Sequence, residues 1–348
     1  MAYDEEILRR ARQRFEAARQ ERRETLEERR QNAYRREPRL RAIEAELRKT
    51  SAQILSAALR HDGDPMKALE KLRETNLKLQ AEKKTLLGKL HLPLDYLSEQ
   101  PACPICKDSG YEANGRMCKC LREYCAKEQK KDLSKMLDLG TQSFENFSLD
   151  WYSSRKDRIQ GMSPRENMED IFQYCKDYAR TFGPESENLF FFGPTGLGKT
   201  FLSAAIAREV SAAGYSVLYD SAERVFRQME AVKFDREDAD TRSVRRIFRC
   251  DLLIVDDLGT EKRSDFVTSA LYQIVNTRLI ERRPTILNTN RDPKALAGDY
   301  SPQIASRIKG EYQIFSFFGE DIRDLRKAKE NSKGTDGHSL YLWGPGYS

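Results

Sequence analysis

Apolar residues are sparse in the first part of the chain and recur there at the spacing of a helix. Ile7 and Phe15 fall on one thin stripe surrounded by charge, which is typical of a helix with little surface to bury. Pro38 interrupts this run, and a second leucine-rich run follows it. The pattern predicts a charged helical arm over residues 1–97 that contains an antiparallel hairpin. Two interpretations remain open, a solvated spacer or an arm that binds a partner.

The pattern changes after about residue 165, where short apolar runs alternate with helical segments. The runs predicted as strands are 189–192, 216–219, 252–255, 285–289 and 313–318. The segments predicted as helices are 167–182, 201–210 and 264–280. Fully apolar strands that alternate with helices are typical of a parallel sheet buried on both faces. We therefore expect an α/β fold, in which helices flank a parallel sheet.

Composition limits the classes of protein that this chain can represent. Charged residues make up 33% of the 348 residues and apolar residues 39%, which allows a globular core beside long solvated surfaces. The net charge of +6 is too small to indicate nucleic-acid binding by itself. No apolar run is long enough to span a membrane, and the first residues are acidic where a secretion signal would be basic. We expect a cytoplasmic protein with no membrane partner.

Cysteines cluster in one short segment, since five of the seven lie between Cys103 and Cys125. In a reducing compartment such clustering indicates a metal site rather than disulfides. Four thiolates suit tetrahedral Zn²⁺, so we predict a zinc-binding module over residues 98–130. Its predicted ligands, at the spacing C-x2-C-x11-C-x-C, are Cys103, Cys106, Cys118 and Cys120. Cys125 is expected on the following helix, and unliganded cysteines or a redox pair remain alternatives.

The clearest chemical motif is the segment 193–200, which has the form G-x-x-x-x-G-K-T of a phosphate-binding P-loop. Its glycines let backbone N–H groups approach phosphates closely. Lys199 is expected to reach the β- and γ-phosphates in a catalytic role, and the Thr200 hydroxyl to hold Mg²⁺. We therefore predict that ATP binds here with Mg²⁺. The residues assigned to nucleotide binding are Gly193, Pro194, Thr195, Gly196, Leu197, Gly198, Lys199, Thr200, Phe201 and Asp256.

Polar residues follow two of the predicted strands. Asp256 and Asp257 come directly after the third strand, and Asn290 follows the fourth. Ligands of such sheets bind at the carboxyl ends of the strands. Asp256 is predicted to hold Mg²⁺ together with Thr200, and Asp257 to orient the attacking water, with Glu261 as the alternative. Asn290 is predicted to position that water or to sense the γ-phosphate.

Two arginines near the last strand are candidates for contacting the γ-phosphate. Arg307 precedes this strand and is predicted to act as an arginine finger on a neighbouring subunit. Arg323 follows the strand and is the candidate within the same chain. The residues from 331 to 348 are rich in Gly, Ser and Tyr and are expected to be disordered.

These motifs together resemble the AAA+ ATPases of the DnaC/DnaI type, the bacterial replicative-helicase loaders. The resemblance covers roughly residues 100–328 and rests on the segment 144–147, the P-loop, the Asp256–Asp257 pair and the Thr289–Asn290 pair. The two cysteine pairs are similar to the zinc-bearing N-terminal region of the DnaI-like branch. Many AAA+ ATPases have Asp-Glu where this chain has two aspartates, which makes the identity of the base less certain.

The resemblance implies a domain organisation and a function. An AAA+ ATPase domain would occupy residues 166–330, after a linker and entry segment at 131–165. This domain would hydrolyse ATP, self-associate with ATP at subunit interfaces and contact single-stranded DNA. The region before it would bind the replicative DNA helicase, which the protein would load during replication initiation.

Two other functions remain open. IstB-type transposase-helper ATPases share almost the same core, although the cysteine cluster and the N-terminal arm favour a loader. A nucleotide-dependent adaptor with little turnover, whose main activity lies in the helical arm, is the third possibility.

Overall fold

The computed structural model describes residues 3–59, 65–136, 142–235 and 240–335. The chain divides into two compact units. The first, which we call the helical unit, is Gln13–Cys118, and the second, the α/β unit, is Met1–Arg12 together with Lys119–Ser348. The finer division into five segments, suggested by the sequence, stays a prediction.

Three helices precede the cysteine cluster. They are α1 (Glu5–Arg36), α2 (Pro38–Leu59) and α3 (Pro65–Lys89). A proline begins both α2 and α3, where a missing N–H costs no hydrogen bond. Arg39 of α2 bonds Glu82 of α3, whereas Thr50 of α2 bonds Asn76 of α3. Because partner positions fall along α3 as they rise along α2, the two helices are antiparallel, which confirms the predicted hairpin.

The α/β unit is built around a single parallel sheet. Its strands are β1 (Asn188–Phe192), β2 (Val217–Ser221), β3 (Leu252–Leu258), β4 (Thr285–Thr289) and β5 (Tyr312–Ser316). They pair in parallel in the order β2-β3-β4-β1-β5. The helices of this unit are α4 (Lys119–Met136), α5 (Pro164–Thr181), α6 (Lys199–Ala212), α7 (Ala222–Lys233), α8 (Thr241–Arg249), α9 (Asp265–Ile280), α10 (Leu296–Asp299), α11 (Pro302–Glu311) and α12 (Ile322–Thr335). The expected α/β class is confirmed.

Side chains of the central strands enter two apolar cores, one on each face of the sheet. In β1, Leu189 and Phe191 belong to one core and Phe190 to the other. In β3, Ile254 belongs to the first core and Leu253 to the second. Because successive strand residues point to opposite faces, a sheet covered on both sides requires a continuous apolar run. This burial fixes the carboxyl ends of β1, β3 and β4, where the candidate site lies.

The end of the chain differs from the prediction. Helix α12 extends to Thr335, into the tail that was expected to begin at residue 331, and residues 336–348 lie outside the described part of the chain. The Asp321 carboxylate accepts a hydrogen bond from the Arg323 N–H and so caps this helix. The polar composition of α12, which suits a solvated helix, gives no apolar stripe by which the helix could be recognised.

Other observed element boundaries also differ from the predicted ones. Helices α8 and α11 were not predicted, and β3 continues past the aspartate pair with an irregular register after Val255. The linker expected at 131–165 begins inside α4, which continues to Met136, and residues 137–141 lie outside the described part. Within the described ranges, no helix is long and apolar enough to cross a membrane.

Candidate functional site

The P-loop joins the end of β1 to the start of α6. Gly193 has φ 135° and Gly196 has φ 74°, backbone conformations that favour glycine. A Cβ atom on Gly193 would lie 2.0 Å from the Phe317 carbonyl oxygen, and one on Gly196 would lie 1.9 Å from the Asp321 carboxylate. Both positions therefore exclude a side chain. The loop brings the backbone N–H groups at the start of α6 to the sheet edge, where they can donate hydrogen bonds to an anion.

Lys199 is buried at the start of α6, with 8% of its surface exposed. Its Nζ donates hydrogen bonds to the carbonyl oxygens of Gly193, at 2.7 Å, and Pro194, at 2.6 Å. Burial lowers the pKa of Lys199, and the carboxylates of Asp256 and Asp257 partly offset this effect. The side chain thus places an ammonium group beside the loop that would cradle phosphates.

Asp256 is buried at the end of β3 and is held by two neighbouring strands. Tyr219 of β2 donates its hydroxyl proton to Oδ2 at 2.5 Å, and the Asn288 side-chain amide of β4 donates to Oδ1 at 2.9 Å. Burial, followed by the charge of Asp256, raises the pKa of Tyr219 well above its ordinary value, so the phenol remains a donor. Oδ1 also accepts from the Asp257 N–H, at 2.9 Å, so the arrangement fixes the carboxylate in one orientation while Oδ2 keeps a further lone pair for Mg²⁺ or its water.

Tyr219 and Asn288 were not predicted as site residues. Both lie inside strands, and Asn288 is fully buried. A buried polar residue in an otherwise apolar strand needs a partner. The polar side chains inside β2 and β4 were therefore the signal, in the sequence, of a partner on the strand between them.

Asp257 lies in the irregular stretch of β3, with φ 54°. Burial raises the pKa of Asp257, and the charge of Asp256 adds to this rise, while Lys199 and Arg323 oppose it. A carboxylate of raised basicity beside the P-loop suits the predicted role of orienting or deprotonating a water. That role stays a prediction.

A cavity of about 530 Å³ opens beside the P-loop. Predicted site residues that line it are Thr195, Gly196, Leu197, Gly198, Lys199, Thr200, Phe201, Asp257, Asn290 and Arg323. Residues not predicted from the sequence also line it, namely Gln142, Asn146, Phe147, Ser148, Trp151, Tyr152, Thr260, Ile322 and Arg326. Three residues assigned to nucleotide binding are not among those that line the cavity. Gly193 and Pro194 belong to the P-loop, and Asp256 is buried in β3.

Helix α12 brings the predicted Arg323 to this cavity. The Ile322 N–H donates to the Gly196 carbonyl at 3.1 Å, which ties the start of α12 to the P-loop. Arg323 follows directly and lines the cavity together with Arg326. An arginine of the same chain therefore reaches the site.

Two other predicted residues lie outside the cavity. Glu261 accepts hydrogen bonds from the Gly259 N–H, at 2.8 Å, and from the Tyr300 hydroxyl. Both of its carboxylate oxygens are thus engaged elsewhere, which argues against Glu261 as the alternative base. Arg307 of α11 donates to the Asn276 side-chain oxygen at 2.8 Å. Because Arg307 does not line the cavity of its own chain, the predicted finger requires a neighbouring subunit and stays a prediction.

The sulfur atoms of the four predicted zinc ligands gather in one place. Those of Cys103, Cys106, Cys118 and Cys120 all lie within 4.8 Å of one another, and Cys103 and Cys118 are 3.7 Å apart. Zinc–thiolate bonds of about 2.3 Å place the sulfurs of a tetrahedron about 3.8 Å apart. The cluster therefore fits Zn²⁺. Cys125 lies outside the cluster, on α4 as expected, and burial raises the pKa of its thiol to about 11.

Backbone hydrogen bonds hold the segment that carries the cysteines. The Asp108 carboxylate accepts hydrogen bonds from the N–H groups of Ala102, at 3.1 Å, and Cys103, at 2.9 Å. The Cys118 N–H donates to the Gly110 carbonyl at 2.9 Å. These bonds form the tight turn after the first cysteine pair and close the hairpin that leads to the second.

Comparison with known proteins adds to this geometry. A profile of the family described as IstB-like ATP binding protein matches residues 176–296. The matched stretch runs from α5 through the P-loop, β3 and β4 to α10. The chain carries an IstB-like ATPase domain. This domain is homologous both to ATP-binding proteins of insertion sequences and to the DnaC helicase loader.

Two relatives illustrate this double relationship. The protein described as ATP-binding in insertion sequence IS5376 of Geobacillus stearothermophilus is 28% identical over 161 residues, which is 45% of this chain and 63% of that protein. The replicative helicase loader DnaC of Escherichia coli K12 is 23% identical over 156 residues, which is 45% of this chain and 64% of DnaC. The chain thus matches less than two thirds of either relative.

Two solved structures are similar to the α/β region. The crystal structure of the DnaC helicase loader has 20% identity and a TM-score of 0.41, covering 50% of this chain and 98% of that one. The crystal structure of DnaI has 23% identity and a TM-score of 0.41, covering 52% of this chain and 90% of that one.

Proposed function

We propose that this protein is an ATP-dependent loader that places the replicative DNA helicase on single-stranded DNA in the cytoplasm. The observation that carries the proposal is the four-cysteine cluster. This cluster and the helices α1, α2 and α3 precede the IstB-like domain. The cluster fits Zn²⁺, and the sequence resembles the DnaI-like loaders, in which a zinc-bearing region precedes the ATPase domain. The homology to DnaC supports the same function.

The site residues have distinct roles in the proposed ATPase reaction. Lys199 and the P-loop amides bind the phosphates, and Thr200 and Asp256 would hold Mg²⁺, which neutralises phosphate charge when bound. Asp257 orients the attacking water, and Asn290 positions it from the end of β4. Tyr219 and Asn288 support this chemistry indirectly, because they hold Asp256 in a fixed orientation.

Self-association would complete the site. Arg307 contacts Asn276 and lies 4.9 Å from the centre of the Tyr272 ring, so both residues of α9 orient its guanidinium. In an oligomer, Arg307 would approach the γ-phosphate held by the neighbouring subunit. The IstB-like domain would then assemble on single-stranded DNA with ATP, while the helical unit, with zinc, would bind the helicase.

The experiment is a reconstitution with the full-length chain and the replicative helicase of the same organism. We expect the chain to retain the helicase and, with ATP, to transfer it to single-stranded DNA. Cys106→Ser should lose helicase binding. Arg307→Ala should keep nucleotide affinity but lose ATP-stimulated assembly and turnover, whereas its α11 neighbour Lys309→Ala should lose neither. If helicase is neither retained nor transferred, the chain is not a loader.

A transposase-helper ATPase is the second candidate, because the IS5376 relative supports it. The same reconstitution separates the two functions when a transposase encoded beside the gene replaces the helicase. ATP-dependent stimulation of the transposase, in a preparation that fails to retain the helicase, would favour the helper.

A further inference from the structure

Two chemically different sets of residues line the cavity of the IstB-like domain. Lys199, Thr200 and Asp257 suit phosphates and a metal. Phe147 and Trp151, from the segment before α5, form an aromatic wall beside the P-loop. A nucleobase has apolar faces and a polar edge, so it suits this aromatic wall.

The aromatic wall is closely packed. The Phe147 ring stacks on Phe172 with centroids 5.1 Å apart and meets Phe201 edge-on at 5.4 Å. Two cations of α12 lie over the Trp151 ring, since the Arg326 guanidinium carbon is 5.4 Å and Lys329 Nζ is 4.9 Å from its centroid. These packed rings fix the shape of the pocket wall, so that polar groups beside them have defined positions.

One polar atom of a cavity-lining residue lacks a hydrogen bond among the described residues. The Gln142 side-chain oxygen Oε1 is buried and has no hydrogen-bond partner among the described residues, and Gln142 lines the cavity. Leaving a buried carbonyl oxygen unpaired costs about 1–3 kcal/mol. Since buried polar atoms in folded proteins are almost always paired, an unpaired one at a ligand cavity indicates that a ligand donates to it.

We propose that the Gln142 side-chain amide recognises the edge of adenine and so gives the IstB-like domain its preference for ATP. The proposal rests on nucleotide binding at the P-loop. Adenine presents the N6 amino donor next to a ring-nitrogen acceptor, and a glutamine amide presents an acceptor next to a donor. Oε1 accepts from the amino group while Nε2 donates to the ring nitrogen. Guanine places the O6 acceptor where adenine has its amino group and meets Oε1 with a second acceptor.

The test compares binding of ATP and GTP to the full-length chain by titration. We expect wild type to bind ATP about tenfold more tightly than GTP, the size of one amide–base pair. Gln142→Leu should weaken ATP binding about tenfold and leave GTP binding nearly unchanged, which removes the preference. Gln173→Leu makes the same substitution on the exposed face of α5 and should preserve the preference.

A carboxylate at the same position gives the sharper result. Gln142→Glu presents only acceptors, and the guanine edge carries two adjacent donors, at N1 and N2, that match them. We therefore expect this variant to favour GTP, a reversal that a merely structural role for Gln142 would not produce. Equal ATP affinity in wild type and Gln142→Leu would overturn base recognition alone. If wild type bound neither nucleotide, the nucleotide site itself would be wrong as well.

Discussion

The helical unit and the α/β unit are stabilised by different chemistry. In the α/β unit, strands β1, β3 and β4 are buried on both faces by two extended apolar cores. In the helical unit, one described cluster consists of Ala33, Leu40, Leu87 and Leu97, and Ile43 and Leu79 are buried as well. Burial of apolar surface is the dominant favourable term in folding. The helical unit adds to it a buried polar network and three of the four clustered cysteines, the fourth being Cys120 at the start of α4.

The polar contacts of the helical unit centre on Glu44. This buried carboxylate accepts hydrogen bonds from the Tyr34 hydroxyl, at 2.6 Å, and from Lys83 Nζ, at 2.7 Å. Arg39 forms two hydrogen bonds, of 2.8 and 3.0 Å, to the carboxylate of Glu82. The second pair is exposed and therefore contributes little, whereas the buried network around Glu44 joins α1, α2 and α3.

Loss of zinc should produce the largest difference between the two units. We expect about one equivalent of Zn²⁺ per chain, and we expect Cys106→Ser or a strong chelator to remove it. Because metal binding supplies about 10 kcal/mol or more in small zinc modules, the helical unit should lose helical structure while ATP binding persists. Metal analysis with circular dichroism measures the first effect, and an ATP titration measures the second.

The matched control is Cys125→Ser, which alters a buried thiol outside the cluster and should keep the zinc. A metal content near zero in wild-type protein purified without chelator would contradict the site. Simultaneous loss of ATP binding with the metal would contradict the independence of the two kinds of stabilisation.

Lys199→Ala should have the opposite outcome, with function lost and the fold kept. Removing a charged donor to phosphate costs about 3 kcal/mol, roughly 100-fold in ATP affinity. The lost bonds go to the carbonyl oxygens of Gly193 and Pro194, which belong to neither apolar core, so thermal unfolding should shift only slightly. Titration with ATP and a melting curve test both halves of this prediction.

Asp257→Asn is its companion variant. It keeps the phosphate contacts and should bind ATP, but its turnover should fall because an amide is a poor base. Wild-type turnover in this variant would remove Asp257 from the mechanism. Glu261 would be a poor replacement, since Gly259 and Tyr300 occupy its oxygens.

Local patterns made the α/β core predictable from the sequence. The P-loop is a contiguous motif, and the apolar runs around Phe190 and Ile254 need no knowledge of their neighbours. The polar contacts of the site are different, because Tyr219, Asp256 and Asn288 are brought together only by the order of the strands. No spacing along the chain encodes that order.

Short or strongly charged helices were the second kind of feature that the sequence did not reveal. Helix α8 has the sequence TRSVRRIFR, in which Val244, Ile247 and Phe248 face the core but are surrounded by arginines over only 9 residues. Helix α12 is rich in charge and is positioned by the contact of Ile322 with Gly196. Gln142 likewise lies 51 residues before Gly193, the first residue of the P-loop, and only folding brings it to the cavity.

The smallest expected effect is the contribution of Glu44 to the helical unit. Burial raises the pKa of Glu44, but hydrogen bonds from Lys83 and Tyr34 more than offset this, so the net pKa lies below its ordinary value. A folded-state pKa below the unfolded value of about 4.3 adds stability at pH values above 4.3, and this stability is lost as the pH falls through the folded-state pKa.

Glu44→Gln should therefore lower the free energy of unfolding by about 1–2 kcal/mol at pH 7. Urea denaturation should show this difference shrinking as the pH falls below about 4. Glu46→Gln, on the exposed side of α2, should differ from wild type by less than about 0.5 kcal/mol at either pH. A Glu44→Gln deficit that stays constant with pH would mean that packing, rather than charge, accounts for it.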